Sequence, residues 1–195
     1  MVLDKVFTRD IIALVEYVVK KIQKGYKAKG IVDATLEQTK QIVMAMDELS
    51  QLNPDGPGGY GTVLEYVDTK GQMHTKEISQ GYKKTTNNRM ELMAVIAGLE
   101  ALNRPCEVEL YSDSQYVVNA FNQHWIEGWI KKGWKRGKNE PVKNVDLWKR
   151  LLEAKEKHNV KFIWVKGHDG HLQNERCDYL ATSAADGSNL LDDVF

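Results

Sequence analysis

Apolar and polar residues follow two different periods along the C-terminal three quarters of the chain. Alternation with a period of two predicts strands at residues 62–67, 73–80 and 108–112. The turn signal NPDGPGG precedes the first of these strands, and DTKG separates the first from the second. A period near 3.6 from Met90 to Leu99 predicts a helix over residues 89–101. The same reasoning predicts further helices at residues 114–121, 146–157 and 174–185, and a strand at residues 161–166.

The order of these elements predicts an α/β fold. The strands come first as a hairpin and later alternate with helices, which is typical of a mixed sheet with helices on both faces.

The first 52 residues have a different, helical pattern. An amphipathic stretch beginning near Thr8 and another beginning near Asp33 both favour helices. We therefore expect a helical extension at residues 1–38, a main domain at 39–187 and a tail at 188–195. Residues 40–47, which include the apolar run IVMAM, also fit a buried strand. The extension would pack on the domain or mediate self-association.

Composition limits the class of protein. The chain has 195 residues, of which 42% are hydrophobic and 28% charged, as in a soluble globular protein. It has no apolar run long enough to span a membrane and no secretory signal pattern, so we expect a cytoplasmic protein. The two cysteines, Cys106 and Cys177, are too few for a disulfide framework and are expected to be reduced thiols.

Four acids stand at junctions between predicted elements. They are Asp47, Glu91, Asp113 and Asp178. Carboxylates brought together repel one another unless a cation neutralises them, and oxygen ligands suit hard divalent metals. The pattern therefore indicates a metal site, and two such metals suit phosphodiester cleavage.

Each acid also has a structural interpretation. Glu91, early in a helix, would face solvent and favourably meet the helix dipole. Asp113 would cap the following helix. Asp178 would form a salt bridge with Arg176, since a buried acid requires a partner. His168 lies in the glycine-flanked loop GHDGH, where a histidine is either simply exposed or relays a proton near neutral pH.

A basic stretch, KKGWKRGKNEPVK, occupies residues 131–143. Trp125, Trp129 and Trp134 lie in it or just before it. The net charge of the chain is zero, which argues against binding nucleic acid by bulk attraction alone. The stretch is either a solvated loop with tryptophans in the core, or a local handle for a phosphate backbone.

Four motifs appear in the order found in one known family. They are TTNNRMEL, SDSQYV, PVKNVDLW and VKGHDGHLQNERCD. Over residues 53–187 the chain resembles type I ribonuclease H, which cuts the RNA strand of an RNA–DNA hybrid. The resemblance implies the mixed-sheet architecture of that family.

The resemblance also implies roles for individual residues. Two Mg²⁺ ions, with Mn²⁺ as a substitute, would be held by Asp47, Glu91, Asp113 and Asp178. His168 would assist the reaction, and the product would carry a 5′-phosphate. The RNA strand would be contacted by Asn53, Asn88 and Gln115. A phosphate of the DNA strand would be held by Thr86 and Asn144, and the same strand would pack along Trp125, Trp129 and Trp134.

The chain departs from the family pattern before residue 53. Asp47 stands six residues before Asn53, as the family requires, but the glycine that normally follows the acid is replaced by Glu48. Glutamate adopts positive φ angles less readily than glycine, which disfavours a tight turn there. The first metal ligand is therefore Asp47, or Asp33, or is missing. In the last case the chain would be a catalytically impaired protein, chimeric or redesigned, that binds hybrids or serves as an interaction module.

Overall fold

The computed structural model describes residues 56–167 and 172–194. The elements in this part of the chain are, in order, β1 (Gly58–Val67), β2 (Met73–Tyr82), α1 (Asn87–Glu100), β3 (Glu107–Ser112), α2 (Gln115–Asn122), α3 (Trp125–Lys131), β4 (Lys135–Arg136), β5 (Glu140–Pro141), α4 (Val145–Glu156), β6 (Asn159–Trp164) and α5 (Leu172–Ala185).

Strand pairing is both antiparallel and parallel. β1 and β2 form an antiparallel hairpin in which Gly58 pairs with Tyr82 and Val67 with Met73. β3 and β6 run parallel, with Glu107 beside Asn159 and Ser112 beside Trp164. β4 and β5 form a small antiparallel pair. The carboxyl end of β3, where Asp113 follows, thus lies beside the end of β6, which leads toward His168.

Each strand and helix predicted after residue 56 is present, with ends shifted by a few residues. Three elements were missed. α3 has only seven residues and includes Gly128, so its periodic signal is weak, and β4 and β5 have two residues each. The helices predicted before residue 53 and the alternative strand at residues 40–47 lie outside the described residues.

Helix α1 forms the centre of the core. Leu92, Ala94, Val95 and Ile96 are fully buried, and α1 packs against both β1 and α4. Trp148 of α4 is also fully buried. Within the described residues, no helix is both long and apolar enough to cross a membrane.

Glycines allow helix α5 to approach the β1–β2 hairpin at backbone distance. A Cβ atom at Gly59 would lie 2.5 Å from the carbonyl oxygen of Ala181, and one at Gly61 would lie 2.7 Å from the Cβ of Leu180. Gly81, which pairs with Gly59 across the hairpin, faces the same helix. Since α5 carries Asp178, these glycines fix the position of one candidate ligand.

Arg89 joins α1 to α4 and to the C-terminal tail. Its guanidinium, 3% exposed, lies 2.9 Å from the carboxylate of Asp146 and 2.7 Å from that of Asp193. Asp193 also accepts a hydrogen bond of 2.6 Å from the hydroxyl of Thr85. Two backbone hydrogen bonds also hold the tail, one on each side of Tyr82. The N–H of Leu191 donates to the carbonyl of Gly81, and the N–H of Lys83 donates to the carbonyl of Leu191.

Substitution of Gly61 tests the close packing of α5. We expect Gly61→Ala to lower the free energy of unfolding by about 3 kcal/mol, because the added methyl group meets helix backbone that cannot move alone. Gly128→Ala is the matched control, since a Cβ at Gly128 meets no atom within 4 Å and alanine favours a helix. Denaturant unfolding of both variants gives the comparison. Equal midpoints for the two would contradict the packing argument.

Removal of Asp193 tests the Arg89 network. We expect Asp193→Ala to cost about 3 kcal/mol of unfolding free energy, because it removes one carboxylate partner of a buried guanidinium. Asp192→Ala, which removes only an exposed pair with Lys83, should change little. If Asp193→Ala were as stable as Asp192→Ala in chemical denaturation, the Arg89–Asp193 pair would not contribute to stability.

Asp146, the other carboxylate that binds Arg89, is expected to make the stability of the fold depend on pH. Burial raises the pKa of Asp146, but the hydrogen bond and charge of Arg89 outweigh burial and hold that pKa below 3.8. A carboxyl group whose pKa is lower in the folded than in the unfolded state stabilises the fold at pH values above its unfolded-state pKa. This stabilisation is lost as the pH falls through the folded-state pKa. The parent should therefore exceed Asp146→Asn in stability at pH 7, and the gap should close below about pH 4. A gap that stays constant from pH 7 to pH 3 would refute the linkage.

Candidate active site

Glu91 is held inside the protein. It lies in the first half of α1 and is 8% exposed, so it does not take the solvent-facing position that its place in an amphipathic helix also allowed. One carboxylate oxygen accepts a hydrogen bond of 2.7 Å from the hydroxyl of Ser114. A buried carboxylate requires such donors, because loss of hydration is otherwise uncompensated.

Ser114 links Glu91 to the start of α2. It is the N-cap residue of that helix, and its hydroxyl oxygen accepts a hydrogen bond of 3.1 Å from the backbone N–H of Val117. The same hydroxyl donates its proton to Glu91. Ser114 therefore performs the capping that the sequence also allowed for Asp113.

Asp113 lies between β3 and α2 and is half-buried. Its Oδ2 accepts a hydrogen bond of 3.1 Å from the side-chain amide of Asn174, which is 2% exposed. Its backbone carbonyl accepts one of 3.1 Å from the indole of Trp164, at the end of β6. Contacts from α5 and β6 thus fix both the carboxylate and the backbone of Asp113.

Asp178 is half-buried on α5, one helical turn after Asn174. Its side chain lies 3.4 Å from the hydroxyl of Thr182. The salt bridge to Arg176 that the sequence also allowed is not formed, because Arg176 instead binds Glu77 of β2 at 2.7 Å. Residues two apart on a helix point in different directions, so the side chain of Arg176 is directed away from Asp178.

Hydrogen bonds connect the segments that carry the three acids. Ser114, adjacent to Asp113, binds Glu91, and Asn174, on the same helix face as Asp178, binds Asp113. Among the described residues, no group of three or more His, Cys, Asp or Glu side chains lies close enough to hold a metal ion by itself. Asp47 and Asp33, the two candidates for a fourth acid, and His168 and His171 lie outside the described residues.

Comparison with known proteins places this arrangement in a family. The ribonuclease H family model matches residues 39–186. A curated relative, ribonuclease H of Lachnoclostridium phytofermentans, is 72% identical over 153 residues, which are 78% of this chain and 97% of the relative. The chain belongs to the ribonuclease H family.

Solved structures agree with this ribonuclease H assignment. LC9-RNase H1, described as a type 1 RNase H with the type 2 active-site motif, is 32% identical with a TM-score of 0.67 over 80% of this chain and 78% of that one. LC11-RNase H1, solved in complex with an RNA/DNA hybrid, is 25% identical with a TM-score of 0.50 over 74% of this chain and 96% of that one. The predicted family, its fold class and its status as an enzyme are confirmed.

An ion pair joins the N-termini of two helices of the ribonuclease H domain. Thr86 is the N-cap residue of α1 and Asn144 that of α4, and neither side chain caps its own helix. The Arg89–Asp146 ion pair joins α1 to α4 within three residues of each cap. Exposed backbone N–H groups at helix N-termini attract anions, so this pair of ends suits a phosphate group.

The remaining predicted contact residues occupy different environments. Asn88 and Gln115 are exposed in the first turns of α1 and α2. Trp125 is 36% exposed, whereas the ring of Trp129 packs edge-on against the buried Trp148 at 5.4 Å. Trp134 is half-buried beneath the ammonium group of Lys149. Asn53 lies outside the described residues.

Sequence reasoning missed the residues that hold the acids. The roles of Ser114 and Asn174 depend on contacts across 23 and 61 positions of sequence, which no local pattern reveals. A partial signal was present for Asn174, because its spacing of four from Asp178 puts both on one face of a helix.

Gly167 approaches the carboxylate of Asp113 so closely that a side chain at this position would push it aside. A Cβ atom at Gly167 would lie 2.8 Å from the Oδ2 of Asp113. We expect Gly167→Ala to displace this carboxylate and to lower kcat by about 10- to 100-fold, as misplacement of a reacting group by about 1 Å does. Steady-state cleavage assays measure the loss, and thermal unfolding provides the control for folding. Unchanged kcat in a folded variant would mean that the carboxylate position is not critical.

Proposed function

We propose that this ribonuclease H hydrolyses the RNA strand of RNA–DNA hybrids and leaves 5′-phosphate and 3′-hydroxyl ends. The observation that carries the proposal is the chain of hydrogen bonds that connects Glu91, Asp113 and the helix face of Asp178. The hybrid bound by LC11-RNase H1 supports the choice of substrate.

The acids fit a hard divalent cation. Ser114 and Asn174 are neutral donors, so they orient Glu91 and Asp113 without cancelling the negative charge. The neighbouring arginines, Arg89 and Arg176, bind other acids. We propose that Glu91, Asp113, Asp178 and Asp47 hold two Mg²⁺ ions, for which Mn²⁺ can substitute. Such ions, when bound, lower the pKa of a water molecule and stabilise the leaving 3′ oxygen.

The protein side chains supply position and proton transfer. The carboxylates of Glu91 and Asp113 are held in fixed orientations, so little reorganisation is required when the phosphodiester arrives. We assign His168, the residue after Gly167 in the sequence, the transfer of a proton to or from the attacking water or the leaving oxygen, since histidine titrates near neutral pH.

Substrate contacts follow from the elements around the acids. We propose that Asn53, Asn88 and Gln115 contact the RNA strand through its 2′-hydroxyl groups, the feature that distinguishes RNA from DNA. Thr86 and Asn144, at the joined helix ends, would bind a phosphate of the DNA strand. Trp125 and the basic stretch at residues 131–143 would pack along that strand, with Trp129 and Trp134 supporting them from the core side. We also propose a cytoplasmic location.

Cleavage of an end-labelled RNA–DNA hybrid in the presence of Mg²⁺ tests the proposal. We expect the parent to cut the RNA strand and Asp113→Asn to lose activity, because the amide removes an anionic ligand. Asp186→Asn, which changes an exposed acid beyond the end of α5, is the matched control. Asp47→Asn tests the first ligand: lost activity assigns it to Asp47, and retained activity transfers the role to another acid, with Asp33 next. A folded parent that binds the hybrid without cutting it would refute the proposed activity.

A further inference from the structure

Asn174 is a buried polar residue with one half of its amide unused among the described residues. Its Nδ2 donates to Oδ2 of Asp113 at 3.1 Å, whereas its Oδ1 is buried and has no hydrogen-bond partner in the described part of the chain. The orientation of the amide is fixed by chemistry, because a carboxylate oxygen accepts hydrogen bonds and repels another oxygen. A buried acceptor without a partner costs about 1–3 kcal/mol, so this position is poor for stability alone.

The surroundings of Asn174 indicate what this acceptor serves. It binds Asp113 and lies one helical turn from Asp178 on the same helix face, so it contacts one proposed metal ligand and neighbours another. Mg²⁺ in proteins usually keeps several water molecules, whose hydrogen atoms require acceptors. A neutral acceptor beside two carboxylates meets this requirement without adding charge.

We infer that Asn174 is a positioning residue for the reaction: Nδ2 fixes the carboxylate of Asp113, and Oδ1 accepts a hydrogen bond from a water molecule of the ion's hydration shell. The inference rests on the proposed function of the acid site. Removal of groups that orient metal ligands commonly costs 10- to 100-fold in metal affinity or activity.

The test compares Asn174→Ala and Asn174→Leu with the parent and with Asn122→Ala. Asn122→Ala is the matched control, because it removes a side-chain amide that donates to the backbone carbonyl of Phe162, away from the acids. The first measurement is the thermal unfolding midpoint over a titration with MgCl₂, which reports on metal binding without turnover. The second is kcat and KM on the labelled hybrid.

If the inference is right, both Asn174 variants require about tenfold more Mg²⁺ for half of the stabilising shift, and their kcat falls by about tenfold while KM for the hybrid changes less than about twofold. Without Mg²⁺, Asn174→Leu should unfold at or above the parent's midpoint, because the unpaired acceptor is gone. A purely structural residue would instead lose stability without Mg²⁺ and keep the parent's Mg²⁺ response.

The inference is overturned if both Asn174 variants match Asn122→Ala in Mg²⁺ response and kcat. Should Asn174→Ala fail to fold, Asn174→Leu decides by the same two measurements, because leucine keeps the branched shape of asparagine without its polar atoms. The proposed function is judged separately, by the parent and Asp113→Asn. Unchanged Asn174 variants in an active parent would therefore refute only the role of Asn174.

Discussion

Mutual repulsion of carboxylates is the constraint that this domain has to satisfy. Glu91 is 8% exposed and Asp113 is half-buried, and both are held by donors from other elements. Charges of one sign that are partly withdrawn from water raise the free energy of the folded state. The scaffold therefore has to be rigid and stable enough to carry them, and the tight contact of α5 with the glycines of β1 and β2 provides such rigidity.

The arrangement of arginines follows from the same constraint. Arg89 and Arg176 each precede a site acid by two residues, and each is paired with acids elsewhere, Arg89 with Asp146 and Asp193 and Arg176 with Glu77. Positions two apart on a helix diverge, so these cations strengthen the scaffold from the side opposite to the acids. The negative charge needed for a divalent ion is thereby preserved.

Much of the fold could be predicted from sequence, because it depends on local patterns, and the same patterns led to the three candidate acids that the structure describes. Strand alternation, helical period and the order of four motifs are properties of short stretches. The burial of Glu91 could not be predicted, since α1 is covered on most of its surface and its amphipathic pattern is correspondingly weak. Nor could the bonds from Ser114 and Asn174, which arise only when α1, β3 and α5 meet.

The C-terminal tail is bonded to elements of the core, so its detachment is coupled to changes there. Chain ends usually fray independently of the core. Here Asp193 is bonded to Arg89 across 104 positions of sequence, and Leu191 is bonded to the backbone of β2. Detachment of the tail would remove one of the carboxylates that bind the buried guanidinium of Arg89, two residues from Glu91. Local opening at the C-terminus is therefore coupled to the helix that carries Glu91. The amide proton of Leu191, which is bonded to the carbonyl of Gly81, should accordingly exchange with solvent more slowly than the amide protons of an unattached chain end.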